Sequence, residues 1–237
     1  MKFERTWTGN WENAFHGLRH PMESYAKSDT GWYEDTVENE NLCFNQALMV
    51  DSDNCTFLGI GPKDMDLAQR MIKAGTPNDK FLRQIFVSVD ITAPLYWWKE
   101  MDTYKVATTA NSTSTMHKLA STPITLDCFE TDDYDGSILL DNKYGLNFME
   151  DELISILENL RQKYLETKDV RYWKELIRWL PEGWLQTRTW TADYSVLRNI
   201  IRWRSNHKLT EWHQFVDWCR GLPYADELLF YNQSLEK

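Results

Sequence analysis

The chain has 237 residues, of which 42% are hydrophobic and 14% aromatic, so it can bury a sizeable core and is not a disordered segment. Its formal net charge of −10 argues against a sequence-independent binder of nucleic acid polymers, which needs a basic face, but still allows a local basic pocket for a small anion. No apolar run is long enough to span a bilayer, so we expect no membrane partner.

The cysteines are scattered along the chain without a Cys-x-x-Cys pair, at Cys43, Cys55, Cys128 and Cys219. In a chain of this length, such a pattern predicts free thiols in a reducing compartment rather than a disulfide framework. The first residues, MKFERTWTGN, are charged and lack the apolar segment of a signal peptide. We therefore expect a cytoplasmic protein.

The N-terminal third of the chain predicts two helices. Residues 13–20 predict a short helix that Pro21 stops, and the polar stretch from there to residue 36 is typical of a loop. A clearer helix opens at the Gly-Pro pair at 61–62 and ends at Gly75.

One strand is predicted by a regular alternation of side chains over residues 83–92. Its apolar face consists of Ile85, Val87, Val89 and Ile91. This alternation is typical of a strand that has one face in the core. Pro94 then suits the first turn of a helix, which we expect to run over residues 95–105.

The C-terminal half predicts mainly helices. An acidic turn covers 130–136, and a hairpin is expected over 136–145. Asp169 suits the N-cap of a helix that ends before Pro181. The predicted helices cover 150–167, 169–180, 193–206 and 210–220, with a strand over 184–191. No repeat and no linker divides the chain, so we predict one α+β domain over residues 1–237.

Common catalytic and metal-binding motifs do not fit this sequence. The GIGP segment at 59–62 lacks the third glycine of a dinucleotide-binding turn. The acidic turn departs from a calcium loop, because Thr131 replaces the first aspartate and Asn142 replaces the closing glutamate. The five histidines show no spacing typical of metal ligands. We therefore predict no metal site.

The helix predicted over 193–206 carries an arginine on its apolar side. At about 100° per residue, one continuous apolar arc is formed by Tyr194, Val196, Leu197, Ile200, Ile201 and Trp203. Arg204 projects into the middle of this arc. The opposite, polar face consists of Arg198, Asn199 and Arg202.

A guanidinium group does not lose its charge, so Arg204 needs an anion or a dense set of acceptors. Two interpretations remain open. Arg204 either has a structural role, as an ion pair with a carboxylate or as a side chain that extends to solvent near the helix end, or it binds a ligand with help from His207 and Lys208, which follow the helix.

A hydroxyl-rich segment follows the aromatic stretch YWWKEM. It contains Thr108, Thr109, Asn111, Ser112, Thr113, Ser114 and Thr115, and it is followed by Met116, His117 and Lys118. Hydroxyl and backbone N–H groups can hold a phosphate when nearby lysines, here Lys99 and Lys105, supply positive charge. The alternative is a solvated loop without a ligand.

In chain order, these segments resemble the flavin-dependent thymidylate synthases. The family has a strand ending in Ala-Pro, an aromatic-rich helix and an Arg-His-Arg-x7-Ser signature, and ITAPLYWWKEMDTYKVATTANSTSTM fits that frame without a gap. The segment LPEGWLQTRTWTADYSVLRNIIRWR, at 180–204, resembles the C-terminal family block and places Arg204 on the arginine that contacts uracil. The resemblance covers roughly residues 60–230 and rests on layout more than identity.

The sequence departs from the family at several signature positions. The Arg-His-Arg triplet is replaced by Thr103, Tyr104 and Lys105, and its serine by Thr113. The following Gly-Arg becomes Ser114-Thr115, and the preceding glutamine becomes Glu100. A histidine that flanks the flavin is replaced by Gln84, and an asparagine that contributes to flavin binding by Asp193. The resemblance is therefore to a divergent member of the type found in phage and prophage genomes.

The resemblance implies a thymidylate synthase-like fold, with a central, mostly antiparallel sheet flanked by helices. It also implies one-carbon transfer from methylenetetrahydrofolate to C5 of dUMP, with FAD as mediator and NADPH as electron source. Arg204 would then be the catalytic activator of the pyrimidine. The nucleotide phosphate would be held by Lys105, Thr113, Ser114 and Thr115, with Lys118 as a further candidate. The sugar or base would be contacted by Glu100 and Tyr104, and Asn111 would also belong to the substrate site. The cofactor or another anionic group would be contacted by Asp193, His207, Lys208 and His117.

Three functions remain open at this point. The first is an enzyme that modifies a pyrimidine deoxynucleotide, the second is a nucleotide-binding protein that has lost catalysis or changed its cofactor, and the third is an interaction protein. Because family members are homotetramers, the resemblance implies a homo-oligomer. Four tryptophans that we expect to be exposed are compatible with extensive interfaces, namely Trp97, Trp98, Trp203 and Trp212.

Overall fold

The computed structural model describes residues 1–34, 48–51, 53–54, 56–132 and 149–233. The chain divides into two compact units. The first unit comprises residues 1–2, 91–103 and 111–189, and the second comprises 3–90, 104–110 and 190–237. The prediction of a single domain stays a prediction. Cys43, Cys55, Asn142, most of the acidic turn and the expected hairpin lie outside the described residues.

The strands form two sheets. In chain order they are β1 (Lys2–Gly9), β2 (Gly31–Glu34), β3 (Met49–Asp51), β4 (Thr56–Gly59), β5 (Phe86–Pro94), β6 (Thr109–Ser112) and β7 (Leu185–Asp193). One sheet has the order β1-β5-β7-β6 and the other the order β2-β4-β3. In the smaller sheet β4 is antiparallel to both neighbours, with Gly31 opposite Gly59 and Met49 opposite Leu58.

Helices account for most of the described residues outside the strands. They are α1 (Trp11–Arg19), α2 (Pro62–Ala74), α3 (Leu95–Met101), α4 (Thr115–Lys118), α5 (Ser155–Thr167), α6 (Val170–Arg178), α7 (Tyr194–Arg204) and α8 (Thr210–Arg220). A π-helical segment, Met149–Ile154, precedes α5, and another covers Ala225–Leu229. Together with the antiparallel strands, these helices confirm the predicted α+β class.

Local signals in the sequence placed several of these elements correctly. The side chains of Ile85, Val87, Val89 and Ile91 are all buried, as the alternation predicted. Asp169 caps α6 by accepting a hydrogen bond from the Arg171 N–H at 2.9 Å. Helix α8 covers the predicted range and ends at Gly221.

The helix predicted over 95–105 is too long, since α3 ends at Met101. The Asp102 N–H donates to the Trp98 carbonyl at 2.8 Å, and a left-handed residue, Ala107 with φ of 58°, follows in the turn. Strand β1 carried no usable pattern because it is an edge strand whose side chains are mostly exposed. Strand β2 lies in the stretch predicted as loop. The expected exposure of Trp97, Trp98 and Trp212 is wrong, because all three side chains are buried in the core, whereas Trp203 is exposed.

The first unit has a core in which α5 and α6 pack against the segment before them. The buried residues of this cluster are Leu119, Ile124, Phe129, Leu157 and Leu176. Beside it, the buried Arg161 donates to Glu158 at 2.6 and 2.7 Å and to the Ala120 carbonyl at 3.1 Å. Glu158 also accepts from the Ile124 N–H at 2.9 Å. One carboxylate therefore ties the helix to the preceding loop.

This carboxylate predicts a specific acid sensitivity. The hydrogen bonds from Arg161 lower the pKa of Glu158 from 4.5 to about 2, despite opposing desolvation. A lowered folded-state pKa stabilises the fold above the ordinary pKa, and that contribution is lost as the pH falls from about 4.5 towards 2. In urea unfolding at several pH values, we expect Glu158→Gln to lose less stability than wild type over this interval. Glu166→Gln, on the exposed side of the same helix, is the matched control and should keep the wild-type pH slope. An unchanged slope in Glu158→Gln would refute the assignment.

The second unit has an aromatic core. Trp11 meets Tyr194 edge-on with ring centroids 5.0 Å apart, and Phe15 meets Phe81 at 5.8 Å. Helix α8 adds Phe215, which is fully buried. These contacts fix the position of α7, which carries Arg204.

Of the helices in the described parts of the chain, none combines the length and apolar character needed to cross a membrane.

Candidate functional site around Arg204

Arg204 is held by two aromatic side chains of the second unit. Its Nε–H donates to the Tyr104 hydroxyl at 2.9 Å. The Cζ atom lies 4.7 Å from the Trp212 ring centroid and 5.6 Å from that of Tyr104. The two rings are in edge contact, with centroids 6.2 Å apart. Stacking and the hydrogen bond together fix the plane of a half-buried guanidinium.

The position of Arg204 follows from the packing of α7. Tyr194, Leu197, Ile200 and Ile201 are fully buried, so one face of the helix is anchored in the core. Arg204 stands one turn beyond these residues, at the last position of the helix. The predicted arc is therefore confirmed for its central residues.

Two side chains of α7 lie differently from the prediction. Trp203 was placed in the apolar arc but is 55% exposed, since the helix ends there and its ring lies outside the core. Arg198 was placed on the solvent face but is half-buried. Its Nη1 donates to the carbonyls of Leu228, Leu229 and Tyr231 at 2.5, 2.9 and 3.1 Å. Desolvation lowers the pKa of Arg198. This arginine therefore has a structural role.

Asp193, implied by the resemblance for flavin binding, caps α7. It is only 3% exposed, and its carboxylate accepts from the Val196 N–H at 2.9 Å. Burial raises the pKa of this carboxyl despite the hydrogen bonds it accepts. The structure therefore gives Asp193 a helix-capping contact.

His207 lies beside Arg204, whereas Lys208 is exposed. The His207 ring meets the Trp212 ring edge-on at 6.2 Å, and its backbone N–H donates to the Arg204 carbonyl at 3.1 Å. Of the predicted residues in the second unit, Tyr104 and His207 thus gather at Arg204. Lys105 is exposed in the turn after Tyr104, and the Thr108 hydroxyl donates to the Tyr104 carbonyl at 2.6 Å within that turn.

The hydroxyl-rich segment is more ordered than the predicted irregular loop. It forms the edge strand β6, in which all four side chains are exposed, Asn111 among them. The exposed Thr113 then donates its N–H to the Thr187 carbonyl at 2.9 Å. The Ser114 hydroxyl caps α4 by accepting from the His117 N–H at 3.1 Å. Strand pairing and capping therefore use part of the donor and acceptor capacity of this segment.

The predicted residues of the first unit fall in two places. Glu100 lies in α3, and its carbonyl accepts from the hydroxyl of Thr103 at 2.7 Å. Thr115 is half-buried at the first position of α4, and His117 is exposed on the same short helix. The first unit thus holds Glu100, Asn111, Thr113, Ser114, Thr115 and His117, and the second holds Tyr104, Lys105, Asp193, Arg204, His207 and Lys208.

Arg188 is a candidate residue that the sequence analysis missed. On β7, its guanidinium donates to Asp102 at 2.8 Å and to the Gln186 side chain at 2.9 Å, and it lies 4.3 Å from the Trp98 ring centroid. Gln186 in turn donates to the Thr113 carbonyl at 2.8 Å. This chain of contacts fixes the hydroxyl-rich segment near its C-terminal end, at Thr113. In the sequence, Arg188 stands between two threonines on a predicted strand, and that pattern does not indicate these contacts.

Over the ranges that the structure describes, no three His, Cys, Asp or Glu side chains are grouped so that they could hold a metal ion. Within the same ranges Cys128 and Cys219 are free thiols, as predicted.

The fold is that of the flavin-dependent thymidylate synthases. Two solved structures of thymidylate synthase X from Helicobacter pylori, each with FAD and dUMP, match over 100% of both chains. Their TM-scores are 0.65 and 0.62, at 16% and 15% sequence identity. The expected fold is thereby confirmed. No family model matches the sequence. No curated protein matches it either.

Proposed function

We propose that the chain binds a pyrimidine deoxynucleotide such as dUMP and modifies its base at C5. The observation that carries this proposal is the orientation of Arg204 by Tyr104 and Trp212. A charged, planar donor that is held in place by stacking is suited to the carbonyl oxygens of a uracil ring. The dUMP in the Helicobacter pylori structures of the same fold supports this choice of ligand.

Arg204 would act by electrostatic stabilisation. When C5 of the pyrimidine becomes nucleophilic, negative charge develops on the ring carbonyl oxygens, and a preoriented guanidinium stabilises that charge. We propose methylenetetrahydrofolate as the donor and NADPH as the reductant, in keeping with the resemblance. C5 would form a bond to the methylene carbon while the bond from that carbon to the folate nitrogen breaks and tetrahydrofolate leaves, and the C5–H bond would then break with release of the proton. NADPH would supply the hydride that reduces the transferred methylene to a methyl group. The residues proposed for the sugar and phosphate are Glu100, Tyr104, Lys105, Asn111, Thr113, Ser114 and Thr115.

The residues proposed for a flavin fit it poorly. Asp193 is buried and accepts a backbone N–H, and an anionic side chain also disfavours the phosphates of FAD. His117, His207 and Lys208 remain candidates for an anionic group. FAD binding stays part of the proposal because FAD is present in the similar structures, but the step at Arg204 does not depend on it.

A second function is favoured by one observation. The Ser114 hydroxyl, proposed for the phosphate, already accepts the His117 N–H, and a Thr-Tyr-Lys triplet replaces the signature. A nucleotide-binding protein without catalysis, or with another cofactor, would need fewer of the family's contacts.

We also propose a cytoplasmic homotetramer of phage type with a single domain, in keeping with the resemblance and with exposed apolar side chains such as Trp203.

Catalysis can be tested by release of tritium to water from dUMP tritiated at C5, because any carbon transfer to C5 replaces that hydrogen. With methylenetetrahydrofolate, NADPH and FAD present, we expect release by wild type and by Arg202→Gln, and at least about a hundredfold less by Arg204→Gln. Flavin absorbance of the purified protein would report the cofactor independently. Binding of dUMP without any tritium release would replace the enzyme with the non-catalytic alternative.

A further inference from the structure

The second unit contains a cavity of about 610 Å³ that shares no residue with the Arg204 site. Its charged lining residues are Arg19, Lys27, Lys63, Asp66 and Arg70. Four cationic side chains and one carboxylate line this cavity, which is open to solvent, although the whole chain carries a net charge of −10. Arg19 and Arg70 are paired with Asp64 and Asp66, so the excess positive charge of the lining comes from Lys27 and Lys63.

Arg19 is the anchored member of this group. It is only 6% exposed, its Nε donates to one carboxylate oxygen of Asp64 at 2.7 Å, and its Nη2 lies 2.5 Å from the same oxygen in an ion pair. Nη2 also donates to the Lys27 carbonyl at 3.3 Å. In the described part of the chain, Nη1 donates to no protein atom. Because Arg19 lines the cavity, Nη1 is the nitrogen that can donate to a molecule inside it.

The other cations differ in their partners. Arg70 pairs with Asp66 at 3.0 Å on the exposed surface of α2. The side chains of Lys27 and Lys63 form no ion pair with any residue that the structure describes. Two ammonium groups beside a fixed guanidinium repel one another, and a bound anion relieves that repulsion.

The N–H groups at the N-terminus of α2 already have a partner. Its first N–H groups, those of Lys63 and Asp64, already donate to the Asp29 carboxylate at 2.9 Å each. The positive charge at the cavity therefore comes from side chains rather than from the helix dipole.

We propose that this cavity binds a small organic phosphate with at least two negative charges, of the diphosphate class. Arg19 offers a rigid donor edge for one phosphate oxygen pair, and Lys27 and Lys63 supply mobile charge for the remaining oxygens. A volume of about 610 Å³ exceeds that of the diphosphate group and leaves room for an organic substituent. This site is separate from the proposed nucleotide site and does not depend on it.

The test is calorimetric titration with inorganic pyrophosphate at a fixed ionic strength of about 0.1 M, so that screening is constant. We expect Lys27→Gln/Lys63→Gln to weaken binding at least about tenfold relative to wild type. The matched control is Lys73→Gln/Lys80→Gln, which removes the same charge from exposed positions of the same unit outside the cavity. This control should bind as wild type does. Arg19 is left unchanged because its loss would leave Asp64 buried without its partner.

The outcome separates this cavity from the Arg204 site. Arg204→Gln should bind pyrophosphate with wild-type affinity. Absence of binding to wild type, equal weakening in the two double variants, or equal weakening in Arg204→Gln would each overturn the proposal.

Discussion

Arg204→Gln is expected to weaken dUMP binding by about 3 kcal/mol, or roughly a hundredfold, while leaving the fold intact. The variant keeps a polar amide, but its side chain is shorter and lacks the charge and the planar fork that Tyr104 and Trp212 hold in place. The fold should survive because Arg204 is half-buried at the end of α7 and the anchoring face of that helix is unchanged. Thermal shift in the presence of dUMP measures the effect, with circular dichroism as the check on folding.

Arg202→Gln is the matched control for this prediction. Arg202 lies on the same helix, is exposed, and has its guanidinium 5.3 Å from the Trp203 ring. It therefore reproduces the change in charge without touching the Arg204 cluster. Equal loss of nucleotide stabilisation in both variants would show that net charge, and not the oriented guanidinium, determines binding.

Asp64→Ala is expected to destabilise the protein by about 3–5 kcal/mol, a large part of the stability of a typical domain. Asp64 is fully buried and pairs with Arg19. Its second carboxylate oxygen accepts from the Ser28 hydroxyl at 2.6 Å and from two backbone N–H groups, those of Asp29 and Thr30, at 3.2 and 3.0 Å. Removal of the carboxylate leaves a buried cation and three donors without an acceptor.

Urea unfolding measures this loss, and Asp66→Ala on the exposed side of the same helix should change stability by no more than about 0.5 kcal/mol. Arg19→Met combined with Asp64→Leu removes both charges together and should recover part of the stability lost in Asp64→Ala. A loss below about 1 kcal/mol in Asp64→Ala would contradict the assigned role of the pair.

The contribution of the Arg19–Asp64 pair to stability also depends on pH. Burial opposes ionisation of Asp64, but the hydrogen bonds from Ser28, Thr30 and Arg19 prevail and hold its pKa below the ordinary value. Its contribution is therefore fully present above the ordinary carboxyl pKa and is lost as the pH falls through the lower folded-state pKa.

Much of the fold could be predicted because its signals are local. Alternation identified β5, a capping aspartate identified the start of α6, and Gly221 marked the end of α8. Strand β1 could not be found in this way, since its position in the sheet is set by long-range pairing and its exposed side chains follow no apolar period. Helix α3 ends at Met101, and the turn after it contains a left-handed alanine, Ala107, which composition does not reveal.

The site was predictable only in part for a similar reason. Helical periodicity singled out Arg204, but it could not distinguish Arg198, whose acceptors are backbone carbonyls about thirty positions later in the chain. Asp64 gave no signal either, because an acidic residue in the first turn of a helix is normally a solvated partner of the helix dipole. Its burial depends on Arg19, which lies 45 positions earlier.

The most direct measurement follows the guanidinium of Arg204 itself. In a ¹⁵N-edited NMR titration with dUMP, the Nε–Hε resonance of Arg204, assigned by its absence from Arg204→Lys, should shift progressively to saturation. The Arg198 resonance, whose guanidinium is bound to carbonyls of the C-terminal segment, should stay in place. If the Arg204 resonance does not move at saturating dUMP, or moves no more than that of Arg198, the nucleotide does not bind at this arginine and the proposed function is wrong.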